Sequence, residues 1–373
     1  MNTSRIYLDH NSATFLDESI FVEYTKALQV AWANPSSLHT EGQKARSLLA
    51  SARGRIADCF NVDADQVIFF SSATEGLNTL IRKLLVPETG YGHLITTEVE
   101  HLAVRACCQA LEREGHEVSY LPVDGRGALD PDQLSGAISE RTSGIVLLSV
   151  NNETGVIGDL ERYAAIALER GIPLVVDSVA QLGKVPYKKY EGISASCFSS
   201  YKIHGPPGVA FALLHTKKRF EPLIVGGGQE FGLRSGTENV AAIYGCSLAV
   251  EKIISEMEDS CVRMGELRDY LEERLFAQGN ILINGEGPRV CNTSNLAFNG
   301  IDGETLLIQL DRKGIAASRG SACSSGAMEP SKILLAMGYS RKRAQSSLRF
   351  SLSKWTTREE IERAVEAILS CLC

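Results

Sequence analysis

Gly144-Ile145-Val146-Leu147-Leu148-Ser149-Val150-Asn151-Asn152-Glu153-Thr154-Gly155 is the stretch that decides the fold: an apolar run of strand length, then an abrupt polar turn. A short continuous apolar run bounded by turn residues reads as a strand buried on both faces. The same juxtaposition recurs along the chain. Gln66–Phe70 leads into Ser71-Ser72-Ala73-Thr74-Glu75, His93–Thr97 into Glu100-His101, and Leu174–Val176 into Asp177. Between these runs, 42–59 and 102–114 carry apolar residues at helical spacing. Alternating strands and helices imply an α/β fold whose mostly parallel sheet is covered by helices on both faces. Ligand sites in such sheets lie beyond the carboxyl ends of the strands, so the polar turns are expected to converge on one site.

The pattern changes near residue 250. A long charged amphipathic helix is predicted over about 250–277, followed by short strands around 281–283 and 294–298. A helix over 303–313, a strand over 348–352 and a last helix from Thr357 complete the chain, with little tail left for docking a partner. The expected division is a large domain over 15–250 and a smaller α+β domain over 251–373, joined by the N-terminal segment 1–14.

With 44% hydrophobic and 22% charged residues, the composition is that of an ordinary globular protein. A net charge of −7 argues against nucleic acid or an anionic membrane as the main partner. The first residues have no signal-peptide core, and no apolar stretch approaches the ~20 residues of a membrane span. The ten cysteines show no four-ligand metal spacing, so no metal is expected. Unpaired thiols fit a reducing, cytoplasmic setting.

Two features point to chemistry. Lys202 lies in Ser199-Ser200-Tyr201-Lys202-Ile203-His204-Gly205-Pro206-Pro207-Gly208, and Asp177 ends an apolar run upstream. A lysine amine that condenses with an aldehyde, and a buried carboxylate that keeps a pyridine nitrogen protonated, are what a pyridoxal 5'-phosphate enzyme needs. Taken singly, Lys202 reads first as a surface turn lysine, and Asp177 equally as a cap; the constellation lifts the site above each part. Ser71-Ser72-Ala73-Thr74, between a strand and a helix, offers hydroxyls and backbone N–H groups to a phosphate, or a plain helix cap. Ser199 can add a hydroxyl. His101 reads either as a capping histidine or as a ring-stacking acid/base. Arg349 sits inside the apolar run 348–352, where a buried guanidinium must be paired by a substrate carboxylate or by an internal Asp or Glu. Finally, Ser318-Arg319-Gly320-Ser321-Ala322-Cys323-Ser324-Ser325-Gly326 places one thiol among small residues, with no bulky neighbours for it to pack against. An electron sink and such a thiol suggest sulfur chemistry on an amino acid.

In this order the motifs resemble the cysteine desulfurases of the class V aminotransferase group, which are fold-type-I pyridoxal phosphate enzymes. The matching stretches are Tyr7-Leu8-Asp9, Asn34-Pro35-Ser36-Ser37-Leu38-His39, Ala73-Thr74-Glu75, Glu100-His101, Asn151 to Gly155, Gly226 to Glu230, Arg234 to Asn239, Gly320 to Cys323 and Ser346 to Phe350. They span nearly the whole chain. The resemblance implies that L-cysteine becomes L-alanine while its sulfur passes to Cys323 as a persulfide. It implies Lys202 as the covalent anchor, Asp177 as the pyridine partner and His101 as the stacking acid/base. Ala73, Thr74, Ser199, Tyr201 and Gln181 would hold the cofactor, with Thr237 reaching the neighbouring subunit's phosphate in a homodimer. Asn152, Arg349 and Asn11 would bind substrate. An iron–sulfur scaffold or another sulfur-acceptor protein would take the sulfur.

Three positions depart from the family pattern. Tyr201 stands where a histidine usually precedes the lysine. Ala180 stands where a glutamine usually donates to the cofactor's phenolic oxygen, with Gln181 one place late. Ser72 replaces a glycine. Ala180 has no side-chain donor, so cofactor tuning is where these changes should be felt. Two alternatives stay open on the sequence: a related enzyme such as a selenocysteine lyase or aminotransferase, and a non-catalytic paralogue that serves as an assembly partner.

Overall fold

The computed structural model describes residues 5–320 and 329–372 of the chain. Its strands are β1 (Ile6–Tyr7), β2 (Val67–Phe70), β3 (His93–Thr97), β4 (Glu117–Leu121), β5 (Thr142–Leu148), β6 (Leu174–Asp177), β7 (Ile193–Ser199), β8 (Ala210–Leu214), β9 (Ile281–Ile283), β10 (Thr293–Phe298), β11 (Ile315–Ala316) and β12 (Ser347–Ser351). Seven of them form the central sheet in the order β2-β8-β7-β6-β5-β3-β4. The run from β7 to β4 is parallel, and β8 alone lies antiparallel to its neighbours β7 and β2. The fold is therefore α/β with a large, mostly parallel sheet, as the strand–helix alternation predicts.

Alternation along each strand explains why both faces are covered. In β2, Val67 and Phe69 join one core with Phe211 and Leu213 of β8 and with Ala52, Ile56 and Val250 from helices 40–60 and 240–255. Ile68 and Phe70 point the other way, into a core with Leu77, Leu80, Val104 and Cys108 from helices 73–80 and 102–113. A slip of one residue in register would exchange the two faces, and the apolar pattern resists that on every central strand.

A separate antiparallel sheet, β12-β10-β9, packs under helices 257–276, 303–312 and 358–372 around Leu271, Leu306, Phe350 and Ile361. The N-terminal strand β1 pairs in parallel with β11 and adds Ile6 and Leu8 to this core.

One predicted element is corrected. The single helix expected over 250–277 is two helices, Val240–Ser255 and Met257–Phe276, broken at Glu256 with φ −97° and ψ 0°. An ion-pair cluster holds the break. Buried Lys354 reaches Glu256 at 2.6 Å and Asp17 at 3.2 Å, while Lys252 reaches Asp17 at 2.8 Å. The break lets the first helix pack on the large sheet and the second on the small one. Among the described residues, no helix is long and apolar enough to cross a membrane.

Candidate active site

A cavity of about 160 Å³ opens at the carboxyl ends of the central strands. Four of the parallel strands contribute to it: His101 after β3, Asn152 after β5, Asp177 ending β6, Ser199 ending β7, and Tyr201 and Lys202 just beyond it. Ser72, Ala73 and Thr74 come from the start of helix 73–80, Asn11 and Ser12 from the N-terminal segment, and Arg349 from β12. The expected convergence of strand-end motifs therefore occurs.

Lys202 ends a short 3₁₀ turn, and its Nζ donates to the carbonyls of Asn11 and Ser12. The same ammonium lies 4.9 Å from the centre of the Tyr201 ring. Asp177 is 6% exposed and accepts from the Val179 N–H at 3.0 Å. Burial raises its pKa, against the opposing pull of His101 and Lys202. His101 caps helix 102–113, its Nδ1 accepting from Ala103 N–H at 3.1 Å. That bond puts the proton of the neutral ring on Nε2. Burial lowers the histidine's pKa and favours this neutral form. The capping reading of His101 is met, and the cap fixes the tautomer of a ring that lines the cavity.

Ser72 accepts from Glu75 N–H at 3.2 Å and so acts as the helix cap. The first N–H groups of a helix have no partner within it, and here Ala73 and Thr74 occupy that turn at the cavity wall. Ser199 is 3% exposed, and its hydroxyl has no hydrogen-bond partner among the described residues. Asn11 is fixed by bonds to Asn152 O and Thr293 Oγ1, and accepts from Asn292.

Arg349 has an internal partner. Its Nη2 donates to Asp9 at 2.7 Å and Ser12 Oγ at 2.8 Å, and its Nη1 donates to Asn152 O at 2.9 Å. Its Nε lacks a partner among the described residues.

Two assigned residues are not brought to this cavity. Gln181 is buried, and its Nε2 faces Pro186 O at 3.5 Å, leaving Ala180 on the wall. Thr237 is exposed on the segment before helix 240–255 and does not line this chain's cavity. Cys323 lies outside the described residues.

Lys184 also lines the cavity, although the motifs did not point to it. Burial lowers its pKa to about 8, and its Nζ donates to Ala180 O at 3.3 Å. Only the turn that follows Asp177 brings it there, so no local spacing could have flagged it. Glu100, next to His101 in sequence, is not among the lining residues. It is 1% exposed, accepts from Thr97 Oγ1 and Leu148 N–H, and burial raises its pKa to about 8.

These groups fit pyridoxal phosphate. A buried carboxylate with one amide donor needs a cationic partner, as a protonated pyridine nitrogen would be. An orphan serine hydroxyl beside a helix N-terminus needs an anionic acceptor.

Comparison with known proteins agrees. The family described as Aminotransferase class-V matches residues 6–364. The chain is 39% identical over 368 residues to a cysteine desulfurase of Trichormus azollae, covering 98% of this chain and 92% of that protein. A solved structure titled NIFS-LIKE PROTEIN superposes with a TM-score of 0.91 at 32% identity, covering 99% of each chain. A second, titled SspA in complex with cysteine, gives a TM-score of 0.83 at 28% identity over 94% of this chain and all of that one.

Proposed function

The chain belongs to the class-V aminotransferase family, and on that footing we propose that it is a pyridoxal-phosphate-dependent cysteine desulfurase acting on L-cysteine. The observation that carries this reading is the meeting of Lys202, Asp177 and His101 in one cavity with an orphan Ser199 hydroxyl beside a helix N-terminus.

Lys202, Asp177, His101, Tyr201, Ser199, Ala73 and Thr74 would hold the cofactor, which when bound supplies an electron sink for bonds at the substrate's Cα and Cβ. Asp177, buried beside His101 and Lys202, would hold a positive charge on the cofactor's pyridine nitrogen. The Lys202 amine would take the substrate's Cα proton and return a proton to the product. His101, with Nε2 carrying hydrogen, lines the site and orients the reacting groups. Arg349 supplies the positive charge for the substrate carboxylate, with Asp9 and Ser12 fixing its guanidinium. Asn152 and Asn11 complete that wall. Cys323 accepts the substrate sulfur: its thiolate bonds to sulfur, the carbon–sulfur bond breaks toward carbon, and alanine leaves while a persulfide stays on Cys323.

We take 15–250 as the cofactor-binding domain and 251–373 with 1–14 as the domain carrying Cys323. The working unit is a homodimer in which Thr237 serves the neighbouring subunit. Large apolar side chains exposed on and after helix 18–30, namely Phe21, Leu28, Trp32 and Leu38, support this, since an interface would cover them. The sulfur goes to an iron–sulfur scaffold or another acceptor protein, in the cytoplasm.

The test is an anaerobic assay with reductant, comparing L-cysteine and L-selenocysteine. Alanine and sulfide in equal amounts from cysteine support the reading. Alanine from selenocysteine alone would make the protein a selenocysteine lyase, and none from either would make it an assembly partner.

A further inference from the structure

Glu153 stands on the turn after β5 and is 2% exposed. Its backbone is fixed from both sides. Asn151 Oδ1 accepts from the N–H groups of Glu153 at 2.9 Å and Thr154 at 3.0 Å, and Asn295 Nδ2 of β10 donates to Glu153 O at 3.1 Å. The carboxylate is therefore a fixed post between the central sheet and the small one. One place before it, Asn152 O receives Arg349 Nη1 at 2.9 Å.

Two residues far along the chain meet this carboxylate. Ser331 Oγ donates to Glu153 Oε2 at 2.5 Å and accepts from Leu334 N–H at 3.1 Å, so the cap on helix 332–336 aims the hydroxyl proton at the carboxylate. Gly320 packs directly on the same group. A Cβ there would fall 2.6 Å from Oε2 and 3.0 Å from Cδ, and its φ of +132° is one that other residues rarely adopt. Ser318, two residues earlier, pairs with Arg349 through both backbone groups, donating at 3.1 Å and accepting at 2.6 Å. Gly320 and Ser331 flank the segment that carries Cys323.

We propose that Glu153 is a positioning residue for Cys323, its carboxylate clamping Gly320 and Ser331 to the turn that also holds Arg349. The proposal rests on the reading of Cys323 as the sulfur acceptor. Glu153 does not line the cavity, so it acts through Gly320 and Ser331 rather than on the substrate. Fixing both flanks of a segment against the wall that holds the substrate raises the fraction of time in which a group on that segment is in reach. The clamp and the Arg349 wall share one turn, Asn151 to Thr154, so the thiol's two flanks and the substrate's carboxylate partner are referred to the same fixed backbone.

The test uses the cofactor-loaded full chain and two readouts. Without substrate, iodoacetamide labelling of the Cys323 peptide is timed. Losing one hydrogen bond at the clamp is worth about fivefold, so Glu153→Ala and Ser331→Ala should each label about fivefold faster than wild type. Glu153→Gln keeps an acceptor for Ser331 and the bulk against Gly320, and should stay within about twofold. With L-cysteine in a single turnover, Glu153→Ala should form the Cys323 persulfide at least about tenfold more slowly. The cysteine concentration that half-saturates the change in the visible band should stay within about twofold, a split that general loss of stability would not give. Unchanged labelling in both alanine variants overturns the proposal. So does a glutamine variant that behaves as alanine, which would mean charge rather than clamping, or a half-saturating concentration that moves as far as the rate. If wild type forms no persulfide on Cys323, the desulfurase reading fails, and the labelling readout decides the clamp by itself.

Discussion

Replacing Glu100 with glutamine should make the stability difference between variant and wild type depend steeply on pH. Glu100 precedes His101 and is 1% exposed, with Oε1 receiving Thr97 Oγ1 at 2.8 Å and Leu148 N–H at 3.2 Å. Its Oε2 has no partner among the described residues. Burial, followed by the charge on Asp177, moves its pKa from 4.5 to about 8. A folded-state pKa raised above the unfolded one gives stability that is fully present below the unfolded pKa and lost as pH rises through the folded one. A tenfold difference in proton affinity between folded and unfolded chains is worth about 1.4 kcal/mol, and the span from pH 5 to pH 8 lies almost wholly inside the window. Wild type should therefore lose about 3 kcal/mol relative to Glu100→Gln between those values. The amide keeps an oxygen for Thr97 and Leu148, so the two proteins should be of similar stability near pH 5. Urea unfolding of both proteins at each pH measures the difference, in which all other titrations cancel. A difference flat with pH, or one that moves against the variant as pH rises, would refute the inference that Glu100 is held protonated.

Glu230 forms a bidentate pair with Arg53 and also accepts from Phe69 N–H at 2.8 Å, so Glu230→Ala should cost about 3–5 kcal/mol in urea unfolding by stranding a buried cation. A loss under ~1 kcal/mol would mean that Arg53 finds another partner. Borohydride treatment of the yellow holoprotein should fix the cofactor on the Lys202 peptide, and Lys202→Ala should abolish turnover. Lys184 is the informative rival, because it lines the same cavity and burial lowers its pKa to about 8, so label on Lys184 would reverse the assignment. With Ala180 on the wall and Gln181 turned to Pro186, exchanging them by Ala180→Gln with Gln181→Ala should lower the pH midpoint of the cofactor's visible band. An unmoved midpoint would mean that the displaced glutamine has no electronic consequence.

What was legible in the sequence was what depends on local pattern. Runs such as Val67–Phe70 and Leu174–Asp177 are buried along their whole length, and their polar ends announced the site. The direction of β8 was not legible, because Ala210–Leu214 is as apolar as any parallel strand. The short turn from Lys202 back into β8 is what makes it antiparallel. The break at Glu256 escaped because its cause, Lys354, is remote in sequence. Asp9 as partner of Arg349 was hidden for the same reason: a buried guanidinium announces that it needs an anion, not which one. Gln181 shows the limit from the other side. One residue of displacement sent its amide to a backbone carbonyl, which spacing could flag but not place.

The central claim is that sulfur leaves cysteine onto Cys323, and one single-turnover experiment tests it most directly. Holoprotein is mixed anaerobically with L-cysteine and no reductant, then quenched, alkylated and mapped alongside Cys323→Ser. The account predicts about one alanine per subunit and a persulfide on the Cys323 peptide, with Cys323→Ser retaining cofactor and cysteine binding but forming neither product. A persulfide on Cys107, Cys246 or Cys371, or full alanine formation by Cys323→Ser, would contradict it.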